Sequence, residues 1–350
     1  MIFTSDNAAG VVPEVLEALG QAAAGTAPAY GTDPWSEAVE ARVRTLFEAP
    51  EACVYLVTTG TAANALALGC LCPPWSAIYA HQLAHIERDE CGAPEFFTGG
   101  AKLTLIEGEQ ARMAPDGLRQ RIRIGRSGGV HQVGNGALSI TQATEFGTAY
   151  SLAEITALTA IAREAGIGVH MDGTRFANAL ARSNASPADM SWRAGVDILC
   201  LGATKCGAMA AEAVVLFDPA LAEPFELRRK RGGHLLSKMR YVAAQMEAWL
   251  ADGLWLRLAS RANGLADRMA AGLQAHGIPV LNELGANIVF AEFTYGLHAR
   301  LEAAGAQYYI EPPWQPETGP AEAPVSVRLV CSFATAEAEI DEFLELIGHG

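Results

Sequence analysis

Short apolar runs alternate with stretches of helical periodicity through the first two-thirds of this chain. Residues 54–57, 77–80, 102–105, 137–141, 167–171, 198–201 and 213–217 read as short buried strands. Between them, residues 14–24 read as a helix after Pro13, 36–47 as a second with Ser36 as its N-cap, and 62–70 as an apolar third. Ser151-Leu-Ala-Glu154 has the spacing of a capping box and opens a helix to residue 165. Strands separated by helices predict a mostly parallel α/β sheet, whose ligands lie at the carboxyl ends of its strands.

After residue 235 the texture changes. A long helical region, 236–277, carries a break near Asp252-Gly253, and strand 287–292 follows. A helix at 297–304, a Pro-rich loop at 311–324, a strand at 325–330 and a helix at 336–347 complete a smaller α+β unit. We therefore expect an N-terminal segment 1–13 that contributes to the site, a large domain 14–240 and a small C-terminal domain 241–350.

Four lysines occur in 350 residues, and one of them, Lys205, follows the apolar run 198–201 through Gly202-Ala203-Thr204. The preceding run ends in Asp172. A lysine beside a carboxylate, on consecutive strand ends, suits pyridoxal phosphate (PLP): the amine forms a Schiff base and the acid keeps the ring nitrogen protonated. Burial would lower the amine's pKa toward a nucleophilic range. Arg175, three residues past Asp172, presents a bidentate fork for a carboxylate. Thr58-Thr59-Gly60-Thr61 turns into a helix whose first N–H groups form an anion site, to which the Thr204 hydroxyl adds. His85 can stack on a planar cofactor and exchange protons near neutrality.

Composition narrows the partners. A net charge of −14 excludes a general affinity for nucleic acid or an anionic membrane surface. No run approaches the ~20 apolar residues of a membrane span, and the first residues carry no secretory pattern. Seven cysteines without a C-x-x-C predict buried free thiols in a reducing, cytoplasmic setting, with no metal site.

The motifs then become specific. Ser5-Asp6-Asn7, Tyr30-Gly31-Thr32-Asp33-Pro34, Thr59-Gly60-Thr61-Ala62-Ala63-Asn64, His85-x4-Glu90-x-Gly92, His170-Met171-Asp172-Gly173-Thr174-Arg175 and Gly202-Ala203-Thr204-Lys205 follow one another as in threonine aldolases. The chain resembles the low-specificity L-threonine aldolases of the β-eliminating lyase group, from residue 4 to the end, including Val327-Arg328-Leu329-Val330. The resemblance implies a fold-type-I PLP enzyme, transferase-like, with a mostly parallel seven-stranded sheet in its large domain. It implies retro-aldol cleavage of L-threonine, L-allo-threonine or L-phenylserine to glycine and an aldehyde.

By the same resemblance Lys205 forms the Schiff base, Asp172 pairs with the ring nitrogen and His85 stacks on the ring, where it is also the candidate base. Gly60, Thr61 and Thr204 would hold the phosphate, and Ser5, Arg175 and Arg328 the substrate carboxylate. Tyr30 and Asp33 would line the site from across the interface of a homodimer, which the family pairs into a homotetramer. The partner would also send basic residues to the phosphate: Lys230, and either Lys238 or Arg240. Many threonine aldolases carry an Asn-Thr-His-x-Gly segment near the substrate hydroxyl; here Gln142-Ala143-Thr144-Glu145-Phe146-Gly147 stands in its place, without a histidine. That segment resembles a subgroup that includes phenylserine aldolases. The Lys–Asp pair alone would also serve aminotransfer, β-elimination or a non-catalytic PLP-binding protein. The arginines argue against the last, because storage needs no grip on a substrate.

Overall fold

The computed structural model describes residues 1–312 and 314–348, the side chain of Arg126 excepted. Pro313, inside the expected loop 311–324, and residues 349–350, inside the expected small domain, lie outside the described residues.

The expected strands form, each within a few residues of its predicted bounds. They are β1 (Cys53–Val57), β2 (Ser76–His81), β3 (Lys102–Ile106), β4 (Gly134–Thr141), β5 (Gly168–Gly173), β6 (Ile198–Gly202) and β7 (Glu212–Leu216). Their order across one seven-stranded sheet is β1-β7-β6-β5-β4-β2-β3. The pairs β2–β3, β2–β4, β4–β5 and β5–β6 are parallel. Strand β7 runs antiparallel to both β6 and β1, so β1 regains the direction of the other five. The ends of β1, β2, β4, β5 and β6 and the start of β7 therefore share one edge of the sheet.

Helices cover the sheet on both faces. Gly60–Leu71 is buried continuously from Ala62 to Gly69, the signature of a helix enclosed on all sides. Leu152–Ala165 opens on the expected capping box, with Ser151 Oγ accepting from the Glu154 amide and Glu154 reaching back to the Ser151 amide. The second helix departs from expectation. It starts at Pro34, and its N-cap is Asp33, whose carboxylate accepts from Ser36 N at 3.0 Å and Ser36 Oγ at 2.9 Å. Proline at the first helical position needs no N–H partner, so the cap moves ahead of it.

A second sheet, with β8 (Ile288–Thr294), β9 (Tyr309–Ile310) and β10 (Pro324–Val330) in the order β8-β10-β9, is antiparallel throughout. The predicted break near residue 252 separates Arg240–Leu250 from Leu254–Ala275, with Asp252 at φ +49°. Val242 through Ala259 pack into the core of the large sheet, whereas Leu265 through Leu273 join that of the small sheet. The passage between these two cores thus falls within the helix Leu254–Ala275. Segments 1–9 cross back to the small sheet: Phe3 N donates to Gln307 O at 2.8 Å and Val330 N donates to Phe3 O at 2.9 Å. No helix among the described residues is long and apolar enough to cross a membrane. All seven cysteines are free; Cys91, contrary to the expectation of burial, is exposed.

Candidate active site

The shared sheet edge opens on a cavity of about 720 Å³ between the two sheets. Its polar lining includes residues from six separate segments: Ser5, His85, Glu145, Arg175, Lys205 and Arg328. Phe146, Leu281, Phe290 and Trp314 supply an apolar wall.

Lys205 enters from the turn after β6. It makes no hydrogen bond or ion pair among the described residues. Burial lowers its pKa and the Arg175 guanidinium adds to this, against the pull of Glu145, Asp6 and Asp172. The Gly-Ala-Thr that precedes it is a packing requirement as well as a motif. A Cβ at Gly202 would lie 2.8 Å from Thr174 Cα and 2.9 Å from Glu212 Oε2, so only glycine lets the ends of β5, β6 and β7 close together.

Asp172 ends the neighbouring strand and is 2% exposed. Its Oδ1 accepts from Thr174 N at 3.0 Å and Thr174 Oγ1 at 2.8 Å, and its Oδ2 accepts from Asn64 Nδ2 at 2.9 Å. Burial pushes this carboxyl's pKa up, but the His85 and His170 rings and the Thr174 donors outweigh it, and the net shift is downward. A buried acid and a buried amine, both with lowered pKa, are the groups a pyridinium aldehyde requires.

Asn64 also joins Asp172 to the histidine. Its Nδ2 donates to Glu90 Oε1 at 2.8 Å, and that oxygen lies 2.8 Å from His85 Nδ1. Burial works against charge on His85, but the bond to Glu90 and the charges of Glu145 and Asp172 prevail, raising its pKa. The His85, Glu90 and Asp172 ligand atoms lie within 4.8 Å of one another, a spacing a metal could bridge, yet each is engaged in these hydrogen bonds.

The phosphate turn sits against the same strand end. Thr59 caps the helix Gly60–Leu71, its hydroxyl accepting from Ala62 N at 3.2 Å, and a Cβ on Gly60 would lie 3.6 Å from Thr174 Oγ1. Thr204 Oγ1 accepts from Ala211 N at 3.1 Å. Arg175 is enclosed with Asp6, which accepts from Nε at 3.1 Å and from Nη2 at 2.7 Å. Its fork is therefore half spent inside the protein, whereas Arg328 donates only to Thr4 O, at 3.3 Å, among the described residues.

Tyr30, Asp33, Lys230, Lys238 and Arg240 lie away from this chain's own cavity. The Lys230 ammonium stands 5.0 Å over the half-exposed Tyr30 ring, Lys238 is exposed, and Arg240 packs on Tyr241. Asp33 is 0% exposed and caps the helix that starts at Pro34. In this chain Asp33 anchors the turn that displays Tyr30.

Glu212 is a residue sequence reasoning missed. It opens β7, pairs with Gly202 and Val57, and burial pushes its carboxyl to about 7 against the help of Thr204 and Lys205. An acid heading an apolar strand, Glu212-Ala-Val-Val-Leu216, was the available signal. Its folded pKa lies above the ordinary 4.5, so its contribution to stability is full below pH 4.5 and is lost as pH rises through 7. Glu212→Gln should remove that loss: relative to the parent, its unfolding free energy should gain about 3 kcal/mol between pH 4 and 8. A constant difference across denaturant titrations at those pH values would contradict this.

Comparison with known proteins agrees with this geometry. Residues 3–295 match the beta-eliminating lyase family. A low specificity L-threonine aldolase of Pseudomonas aeruginosa is 41% identical over 309 residues, 88% of each chain. One from a Pseudomonas species is 37% identical over 341 residues, 97% of this chain and 95% of the relative. The solved structure of Leishmania major threonine aldolase superposes with a TM-score of 0.92 at 28% identity, over 99% of this chain and 98% of that one. Together with the strand-end lysine and aspartate, these matches establish that the chain belongs to the beta-eliminating lyase family.

Proposed function

We propose that this protein is a PLP-dependent aldehyde-lyase that cleaves L-threonine, L-allo-threonine and L-phenylserine to glycine and the corresponding aldehyde. The observation that carries the reading is the pair of adjacent strand ends, with the Asp172 carboxylate buried and ionised and the Lys205 amine buried and free, opening on an arginine-lined cavity. Bound there, PLP supplies an electron sink for the pair left behind when a bond to the substrate's α-carbon breaks.

The chain's own residues do the rest. Lys205 would hold the cofactor covalently, Asp172 would keep its ring nitrogen protonated, and His85, fixed in place by Glu90, would lie against the ring. Gly60 and Thr61 offer the first N–H groups of their helix to the phosphate, with Thr204 beside them. Arg328, Arg175 and Ser5 would grip the substrate carboxylate and so fix the position of the α-carbon. The apolar wall, where Phe146 and Phe290 have ring centroids 4.3 Å apart, suits an aromatic β-substituent as well as a methyl.

Tyr30, Lys230 and either Lys238 or Arg240 reach the site of a partner subunit in a homodimer, and two dimers form a tetramer. Their position outside this chain's cavity supports the reading. A holoenzyme sedimenting at the mass of one chain, 36.9 kDa, would contradict it.

The direct test is to incubate the purified holoenzyme with L-threonine, L-allo-threonine and L-phenylserine and to assay aldehyde and glycine. Equimolar acetaldehyde and glycine from L-threonine are expected. Release of a keto acid with ammonia, or transfer of the amino group, would replace this function by β-elimination or aminotransfer.

A further inference from the structure

The turn that leaves β4 carries a carboxylate for which the reading above has no task. Thr144–Gly147 is closed by Thr144 N donating to Thr148 O and Gly147 N donating to Thr144 O, both at 2.9 Å. The Thr144 and Thr148 hydroxyls are 2.8 Å apart, and Thr148 Oγ1 donates to Gln110 O at 2.6 Å. Gly147 takes φ +72° with Ile288 O pressed against it, 2.8 Å from where a Cβ would sit, and its carbonyl accepts from Gly285 N at 2.8 Å. The turn is therefore clamped from both sheets, with Phe146 packed on Phe290.

Glu145 is displayed by this rigid turn into the cavity. Its charge acts on His85, Arg175, Lys205 and Arg328, the four groups that surround the reacting end of a bound amino acid. Among the described residues Glu145 has no hydrogen-bond or ion-pair partner. The other acids nearby are occupied or solvated. Asp6 is held by Arg175 and Asn287, Asp172 by Thr174 and Asn64, Glu90 by His85 and Asn64, and Glu311 by Arg88, while Asp89 is exposed.

We propose that Glu145 is the general base that takes the proton of the substrate's β-hydroxyl. The proposal rests on the aldolase reading and moves this role away from His85. That ring's Nδ1 is committed to Glu90, and the surrounding acids favour its charged form, which has no lone pair to offer. In the step, Glu145 accepts the hydroxyl proton and the O–H pair becomes the second bond of the aldehyde carbonyl. The Cα–Cβ bond breaks, and its pair stays with Cα, held by the bound cofactor. One proton is then returned to Cα, so that one proton leaves oxygen, one arrives on carbon, and no oxidant or reductant is consumed.

The test separates this role from substrate binding and from folding. Glu145→Gln keeps the shape and removes the base. Its kcat for L-threonine should fall by about 100-fold or more, the usual worth of a positioned base, with KM within about threefold. Glycine has no hydroxyl, so absorbance titration with glycine should give an unchanged Kd, and exchange of its α-proton in deuterated water should persist. Apoprotein Tm should match the parent, and Glu145→Asp should recover part of kcat. A kcat within threefold of the parent would overturn the proposal, as would joint loss of glycine binding and exchange, which marks a binding role. A parent holoenzyme that binds and exchanges glycine but releases no acetaldehyde would remove the aldolase reading itself.

Discussion

Lys205→Ala should lose the visible absorbance of lysine-bound cofactor and fall in kcat by on the order of 10³-fold or more, together and without loss of fold. The argument starts from burial. The amine sits in a low-dielectric pocket beside Arg175, which lowers its pKa, and it is engaged by no partner among the described residues. The structure thus keeps an amine both unpaired and buried, a state that favours its neutral, nucleophilic form. Alanine removes the nucleophile and little else, because no hydrogen bond depends on it. Lys205→Arg should fail equally, since guanidinium retains the charge but cannot form the covalent link. The measurements are an absorbance spectrum of the reconstituted protein and a steady-state assay. Parental colour and turnover in Lys205→Ala would remove the central assignment.

Asp172→Asn should reduce kcat by about 10²–10³-fold, the scale on which one preorganised charge contributes to catalysis. The replacement is nearly isosteric, so the effect isolates charge from shape. Thr174 can still donate twice to the retained amide oxygen. The new amide nitrogen would face Asn64 Nδ2, where the carboxylate now accepts at 2.9 Å, placing two donors against each other. A loss of stability of about 1–3 kcal/mol is therefore expected beside the loss of rate, and thermal melting of the apoprotein measures it. A rate within tenfold of the parent would show that the ring nitrogen needs no anion here.

The contrast between two acids shows what pattern and spacing can reveal. Asp172 was legible because it terminates an apolar run, and the next apolar run leads to a scarce lysine. Glu212 was not legible as a member of the same site, although it lies at the same edge. Its place depends on β7 inserting between β1 and β6, a non-local pairing that no local periodicity encodes. Asp33 shows a role that its motif did not reveal: the geometry of Pro34 and Ser36 engages it at a helix end. Arg175 was identified as a carboxylate fork, but its tertiary partner Asp6 comes from 169 residues away and takes up both donors that face it.

Apolar runs of strand length, helical periods with their caps and the order of motifs determined by themselves the α/β class, the strand positions, the lysine–aspartate pair and the family resemblance. These are local properties: they follow from side-chain alternation, backbone preference and spacing along one chain. The tertiary structure decided which strands are neighbours, that β7 runs backward, and that the large core continues to residue 259. It also decided which acids are free and which are spent. Asp6, Asp33, Asp172 and Glu90 all have partners, and Glu145 faces the cavity without one among the described residues. Partnership of this kind is fixed by distances between segments far apart in the chain, and so only the folded protein distinguishes an unengaged acid from a capping one.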